Sequence, residues 1–339
     1  MTKLTEPTRT TSLTESTRTK ELSEILSELA SPDPERRQLA LLRLEGSLDA
    51  SVVDALIART RDPDSTVRAL AVQLLEEVGE QRSARPLIEL LADPNLDVRE
   101  RAGEALRSLR GPSVLEALLR AIEHPLASVR AGVILALRDL REPLAASALV
   151  LRLADSDPEV RREAVLALGF LRSQAESPSL IGALSDDEPR VRRAAIGALD
   201  YASSPAVVSA LGRALNDSDW RVRADAARAL GQRRACELAG PLIARTQDTQ
   251  WQVQREALLA LAACAAEDAA PEAVRLLESA LADVRRAAIE LCSAIRLRAA
   301  LPRLRSLAHD EDVEVRKAAK RAVSVLQALA DTQPLNGNN

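Results

Sequence analysis

The arginine of a D-x-x-x-x-V-R-x-x-A-x-x-x-L pattern returns at one constant interval, at Arg37, Arg68, Arg99, Arg130, Arg161, Arg192, Arg223, Arg285 and Arg316, with Gln254 in the eighth place. No insertion disturbs the spacing. A fixed period in the 20–50 residue range means that each unit is one supersecondary element, able to hide its apolar face only by stacking on its neighbours. The chain is therefore expected to be a solenoid, and its function to lie on a long surface rather than in one enclosed centre.

The pattern within a unit is helical. In residues 155–185, Asp157 can cap a helix that has Pro158 at its first position and Glu159 near the positive end of its dipole. Val160, Ala164, Leu168 and Leu171 then follow at helical spacing as a buried stripe. After a turn up to Pro178, a second helix follows with Leu180, Ile181 and Leu184 on its apolar edge. The valine recurs at Val67, Val98, Val129, Val191, Val222, Val253, Val284 and Val315, and the position three after the arginine is Ala in nine of ten units. The expected fold class is all-α, an α-solenoid of ten two-helix, 31-residue repeats. It spans 21–330, with a Thr-rich tail over 1–20 and a short tail over 331–339, both too polar to offset the entropy of ordering.

The 31-residue unit with D-x-x-x-x-V-R-x-x-A-x-x-A-L resembles the HEAT-like repeats of the phycobilisome-lyase (E-Z) type, over residues 21–330. The resemblance implies a HEAT-like superhelix whose concave layer is formed by the V-R helices. For function it implies little, because such repeats serve bilin lyases, deoxyhypusine hydroxylase, maturation scaffolds and designed binding proteins. HEAT-type DNA glycosylases share the broader architecture. The hydroxylase needs several His-Glu pairs for two irons; this chain has only His124 and His309, both in turns. No metal or cofactor is expected.

The arginine column suggests nucleic acid at first sight, but a fixed Asp stands six positions before it: Asp62/Arg68, Asp93/Arg99, Asp155/Arg161, Asp186/Arg192, Asp217/Arg223 and Asp310/Arg316. These read as a structural ladder, with guanidinium groups bridging turns within and between repeats by charge-assisted hydrogen bonds. Gln254 and Ser279 weaken it in the eighth and ninth units. A net charge of −4 also argues against a general nucleic-acid binder. Cys264 and Cys292 are expected to pack in the core, and Cys236 to sit partly exposed at a helix start. Three unpaired cysteines, the lack of a secretory leader and the lack of a long apolar run point to a cytoplasmic protein that avoids membranes. The scarcity of lysine beside abundant arginine is a bacterial trait.

Phe170, Tyr201, Trp220 and Trp251 are the only aromatic residues, and none falls in an apolar core column. Phe170 and Tyr201 share a column near the C-terminus of the V-R helix; Trp220 and Trp251 share one at its N-terminus. The same stretch carries Arg162, Arg190, Arg193, Arg221, Arg228 and Arg255, partly offset by Glu159, Glu163, Asp225 and Glu256, whereas earlier units place Glu35, Asp97, Glu100, Glu104 and Asp139 in matching columns. Aromatic residues with arginine are typical interface anchors. The leading expectation is a non-catalytic, monomeric scaffold that grips a protein partner of acidic surface through Trp220, Trp251, Tyr201, Phe170, Arg190, Arg193 and Arg221. A bilin-lyase-like subunit cradling a tetrapyrrole is the alternative, and nucleic-acid binding is weaker still.

Overall fold

Asp64, Asn95 and Asp219 each accept backbone N–H groups from the first turn of the helix that follows, and Asp157 and Asp312 do the same. This cap satisfies donors that have no partner inside the helix, and it recurs at the head of the helices that carry the periodic arginine. Those helices are α2 (Pro34–Leu44), α4 (Ser65–Val78), α6 (Leu96–Ser108), α8 (Ala127–Leu140), α10 (Pro158–Leu171), α12 (Pro189–Ala198), α14 (Trp220–Arg233), α16 (Trp251–Ala263), α18 (Ala282–Ala294) and α20 (Val313–Asp331). Alternating with them are α1 (20–28), α3 (Val53–Arg59), α5 (Ala84–Leu90), α7 (Pro112–Ala121), α9 (Ala146–Arg152), α11 (Ser177–Ala183), α13 (Pro205–Ala214), α15 (Ala239–Arg245), α17 (Ala270–Leu276) and α19 (Leu301–Leu307).

The computed structural model describes residues 20–44, 48–172, 177–202 and 204–331. Among these residues the fold is all-α, a solenoid of two-helix repeats. The Thr-rich segment before residue 20 and the segment after 331 lie outside the described residues. No helix among the described residues is long and apolar enough to cross a membrane.

The core is the set of repeating columns. Every valine from Val67 to Val315 in the valine column is at most 1% exposed, and the alanines three positions after the arginine, Ala40 through Ala319, are fully buried. Each buried valine contributes roughly 1.5–3 kcal/mol relative to exposure. The small alanine lets consecutive arginine helices approach closely. Leu171 is only half-buried, at the end of the stripe rather than inside it. Cys292 is buried, but Cys264 is half-buried at the C-cap of α16, so only one of the two cysteines packs as a core residue.

The chain divides into two compact units, up to Leu171 and from Arg172. In the first, α4, α6, α8 and α10 pack along one another far more extensively than α5 packs on α7. In the second, α14, α16, α18 and α20 pack in the same way, and α11 touches α13 only lightly. Within each unit the arginine helices thus make the more extensive contacts between repeats.

The arginine helices commonly end in a left-handed residue. Gly79, Arg141, Arg172, Arg234, Ala265 and Arg296 occupy one column, with φ between 47° and 70°. Only Gly79 adopts this without steric penalty; a residue with a Cβ pays about 1–2 kcal/mol there.

Candidate partner-binding face

Arg37, Arg68, Arg130, Arg192, Arg223 and Arg285 perform one double task. Arg68 donates through Nη1 to the carbonyls of Asp62 and Pro63 at 2.8 and 3.1 Å, which ties the turn before its own helix. Its Nε and Nη2 grip both oxygens of Asp93 at 2.6 and 2.8 Å, in the next repeat. Arg130 holds Asp155, Arg192 holds Asp217 and Arg223 holds Asp248 in the same two-pronged way, each across 25 residues. Arg37 reaches Asp62 and Arg285 reaches Asp310 through one nitrogen, both at 2.7 Å. The Asp carboxylate in turn accepts the N–H two positions on, at 2.8–3.0 Å in Asp93, Asp155, Asp217, Asp248 and Asp310. The Asp six positions before an arginine therefore offers that arginine its carbonyl, and offers its carboxylate to the arginine of the preceding repeat. Hydrogen bonding to the carboxylate pushes the Arg68, Arg130, Arg192 and Arg223 guanidinium groups further above their usual pKa. Arg161 and Arg99 bind the carbonyls of the turn before them, Asp155 O at 2.9 Å and Asp93 O at 2.6 Å. Asp186 accepts the N–H of Glu188 at 2.9 Å.

Two positions depart from the ladder. Opposite Arg99 stands His124, whose Nδ1 accepts the Leu126 N–H at 3.2 Å and so keeps the turn without supplying a negative charge. In the second unit Gln254 still donates to the Asp248 carbonyl at 2.7 Å, but Ser279 takes the place of the carboxylate in the next repeat.

The structure does not gather the three aromatic residues of the second unit into one patch. Trp220 and Trp251 open α14 and α16, half-buried, in adjacent repeats of the second unit. Tyr201 lies past the C-terminal end of α12, so it sits at the opposite end of these helices, roughly 20 Å away for a 14-residue helix. Phe170 is exposed on α10, in the first unit. Each ring is covered by an arginine of its own unit. Arg221 lies 4.7 Å from the Trp220 ring centre and Arg255 5.4 Å from that of Trp251. Arg172 lies 6.0 Å from Tyr201, and Arg138 and Arg141 lie 5.3 and 5.7 Å from Phe170. Two of these partners, Arg141 and Arg172, are left-handed residues at helix ends. Neither the cation–π pairing nor the strained backbone was signalled by the sequence columns alone.

The basic residues also separate. Arg190 and Arg221 hold the second position of α12 and α14, beside the tryptophan column. The partial positive charge of a helix N-terminus favours an acid there, and five other repeats comply with Glu35, Asp97, Glu159, Asp283 and Glu314. Arg190 and Arg221 reverse the rule. Both are exposed; Arg221 is 3.7 Å from Asp219, and the Arg190 side chain has no partner among the described residues. Arg193, by contrast, is engaged: it donates to Asp225 at 2.7 Å, and Arg228 holds the other oxygen of that carboxylate. Arg228 also reaches Glu256, which Arg255 binds at 2.6 Å. An alternating chain of charges thus crosses α12, α14 and α16, and its members Arg193, Asp225 and Arg228 line a polar groove of about 380 Å³ between α12 and α14.

Other chemistry is sparse. No group of His, Cys, Asp and Glu among the described residues could hold a metal ion. Burial, with Cys236 nearby, pushes the Cys264 thiol up to about 12, and burial alone pushes Cys292 up to about 12. Neither is an activated nucleophile. Cys236 is exposed and donates to the Arg234 carbonyl at 3.1 Å.

Known structures share the fold. An engineered protein is 22% identical, covers 91% of this chain and 99% of its own, and superposes with a TM-score of 0.50. The Escherichia coli protein YibA is 20% identical over 81% of this chain and 92% of its own, also with a TM-score of 0.50. A chain from the structure of Kap95p binding RanGDP is 16% identical, with a TM-score of 0.62 over 93% of this chain and 53% of that one. No relative among curated proteins matches the sequence. The family model of HEAT repeats matches residues 20–107, 84–169, 116–196, 177–239 and 238–324, and with this coverage the chain belongs to the HEAT-repeat family.

Proposed function

We propose that the protein is a non-catalytic scaffold that binds a protein partner of acidic surface along the N-terminal edge of α12, α14 and α16. Trp220 and Trp251 are the anchors, and Arg190 and Arg221 supply the charge. The observation that carries this reading is the placement of two arginines at the second position of consecutive helices, where acids stand in five other repeats. Together with the helix N-termini they concentrate positive potential beside two half-buried indoles. Arg193, tied to Asp225, shapes the groove wall rather than meeting the partner first. Tyr201 stands at the opposite end of these helices, and the arginines over the Tyr201 and Phe170 rings give both a packing role. The reading entails a monomeric, cytoplasmic bacterial protein that assists the assembly or maturation of another protein.

The test compares the wild type with the Trp220→Ala/Trp251→Ala variant in affinity capture from the native host. The wild type should enrich an acidic protein; the variant should lose it at an unchanged helical circular-dichroism signal. Retention of the same protein by the variant overturns the assignment. The finer likeness to phycobilisome-lyase repeats makes a tetrapyrrole the rival occupant. Saturable absorbance changes with biliverdin that depend on the two tryptophans would favour it instead.

A further inference from the structure

Gly103 stands in a column filled in eight other repeats by apolar core residues, Leu41, Val72, Ile134, Val165, Ile196, Ala227, Leu258 and Ile289, all nearly fully buried, and in the last repeat by the exposed Lys320. Beside it a cavity of about 390 Å³ lies between α6 and α8 in the first unit. Leu91 lies at its floor and Leu135 and Ala131 on one wall. The second glycine of the cavity, Gly132, lies closer to Leu91. A Cβ there would come within 2.9 Å of a Leu91 methyl carbon, so the Leu91 side chain would have to shift to admit one. At Gly103 the nearest atom to an added Cβ is 3.8 Å away, also on Leu91, an ordinary van der Waals contact, so a side chain could start there without displacing Leu91.

The rim is charged but unevenly satisfied. Arg99 donates to two backbone carbonyls at 2.6 and 3.0 Å, and Arg107 faces Asp139 at 3.8 Å. Glu100 and Glu104 are exposed and have no hydrogen bond or ion pair among the described residues. The unmet charge at the mouth is therefore negative, over an apolar floor. A volume near the low end of the roughly 300–1,000 Å³ typical of ligand pockets suits a single large side chain.

We infer that this cavity is an anchor pocket for a protein partner that presents a large apolar side chain next to a lysine or arginine. The apolar group enters between α6 and α8 against Leu91, and the neighbouring cation pairs with Glu100 and Glu104. A buried anchor inside a ring of polar contacts is the arrangement that concentrates binding energy at interfaces. The site stands in the first unit and rests on none of the residues assigned to the acidic partner.

The experiment follows the methyl signals of Leu91 and Leu135 by NMR while the full chain is titrated with two small probes, phenethylammonium and 3-phenylpropionate. They carry a similar ring-bearing chain and opposite charges. Phenethylammonium should shift both methyl signals saturably, with at least fivefold tighter binding than the carboxylate. Glu100→Gln/Glu104→Gln, confined to exposed positions, should remove that preference and leave the ring's own weak binding. Gly103→Leu, which restores the core column, should abolish the shifts by both probes at an unchanged or higher melting temperature. Equal binding of the two probes, no saturable shift by either, or retention of the preference in the Gln variant overturns the proposal. So does a concentration-dependent dimer in sedimentation that Gly103→Leu dissolves, since the occupant would then be a second copy of this chain.

Discussion

Arg192 holds both carboxylate oxygens of Asp217 at 2.7 Å across a repeat boundary, while the next residue, Arg193, reaches into a different layer of charges and binds Asp225. The two neighbours differ in burial as much as in partner. The Arg192 side chain is 10% exposed and Arg193 is 43% exposed. Removing Arg192 leaves Asp217 and the carbonyls of Asp186 and Asp187 without their donor.

Arg192→Ala is accordingly expected to cost on the order of 3 kcal/mol, because it strands a poorly solvated carboxylate. Arg193→Ala should cost less than about 1 kcal/mol, the scale of an exposed ion pair. Since repeats couple mainly to their neighbours, loss of protection in hydrogen exchange for Arg192→Ala should concentrate around α12 to α14. Equal melting shifts for the two variants would contradict this division of the arginines.

Gln254 and Ser279 are the two ends of one missing rung. They have the same separation in sequence at which Arg223 meets Asp248 and Arg285 meets Asp310. Both partners have been exchanged for neutral groups, which leaves no unpaired charge behind. Gln254→Arg or Ser279→Asp alone should then be neutral or destabilising, and the double variant should be more stable than the sum of the singles by about 1–3 kcal/mol. Strict additivity in a double-mutant cycle on thermal melts would show that the two positions do not face each other.

Much of this was legible in the sequence, and what was not has a definite cause. A column that recurs once per unit cannot tell whether an Asp serves the arginine that follows it or the arginine of the unit before. Asp217 precedes Arg223 and also follows Arg192, and it is one residue with two neighbours. The partner of each carboxylate is settled only by how far one repeat leans over the next. The tryptophans could be placed off the core by counting, but the arginines over their rings depend on side-chain reach. Arg141 and Arg172 depend further on a left-handed helix end that a glycine-free sequence does not announce.

The ladder also sets the response to acid. Burial raises the pKa of Asp155, Asp248 and Asp310, but hydrogen bonds from Arg130, Arg223 and Arg285, with backbone N–H groups, outweigh it and leave all three below the ordinary value of 3.8. A folded pKa below the unfolded one contributes stability that is present above 3.8 and is lost as pH falls through the lowered value. Glu163 runs the other way: burial raises it above 4.5, so its protonation favours the folded state. With three such carboxylates against one, the melting temperature should stay level down to about pH 5 and fall below about pH 4. Asp248→Asn should lower stability at pH 7 and much less at pH 2. A constant difference between this variant and the wild type across that range would remove the ladder as the source of acid sensitivity.

Charge reversal at the helix starts separates binding from folding by opposite signs. Arg190 and Arg221 stand where the helix dipole disfavours a cation, so each is retained against a local penalty of about 0.3–1 kcal/mol. Arg190→Glu/Arg221→Glu puts back the residue type found in Glu35, Glu159 and Glu314. If these arginines serve only the fold, the double variant should melt lower, with partner capture falling only as far as stability does. If they meet an acidic partner, it should melt at the same temperature or slightly higher and yet lose capture by tenfold or more. The capture that remains should no longer weaken with added salt, because the charges that salt screens are gone. Glu100→Lys/Glu104→Lys, in the first unit, should leave capture of the acidic partner unchanged. Loss of capture in both variants would point to nonspecific adhesion, and wild-type capture by the Arg190→Glu/Arg221→Glu variant would remove this edge from the binding face.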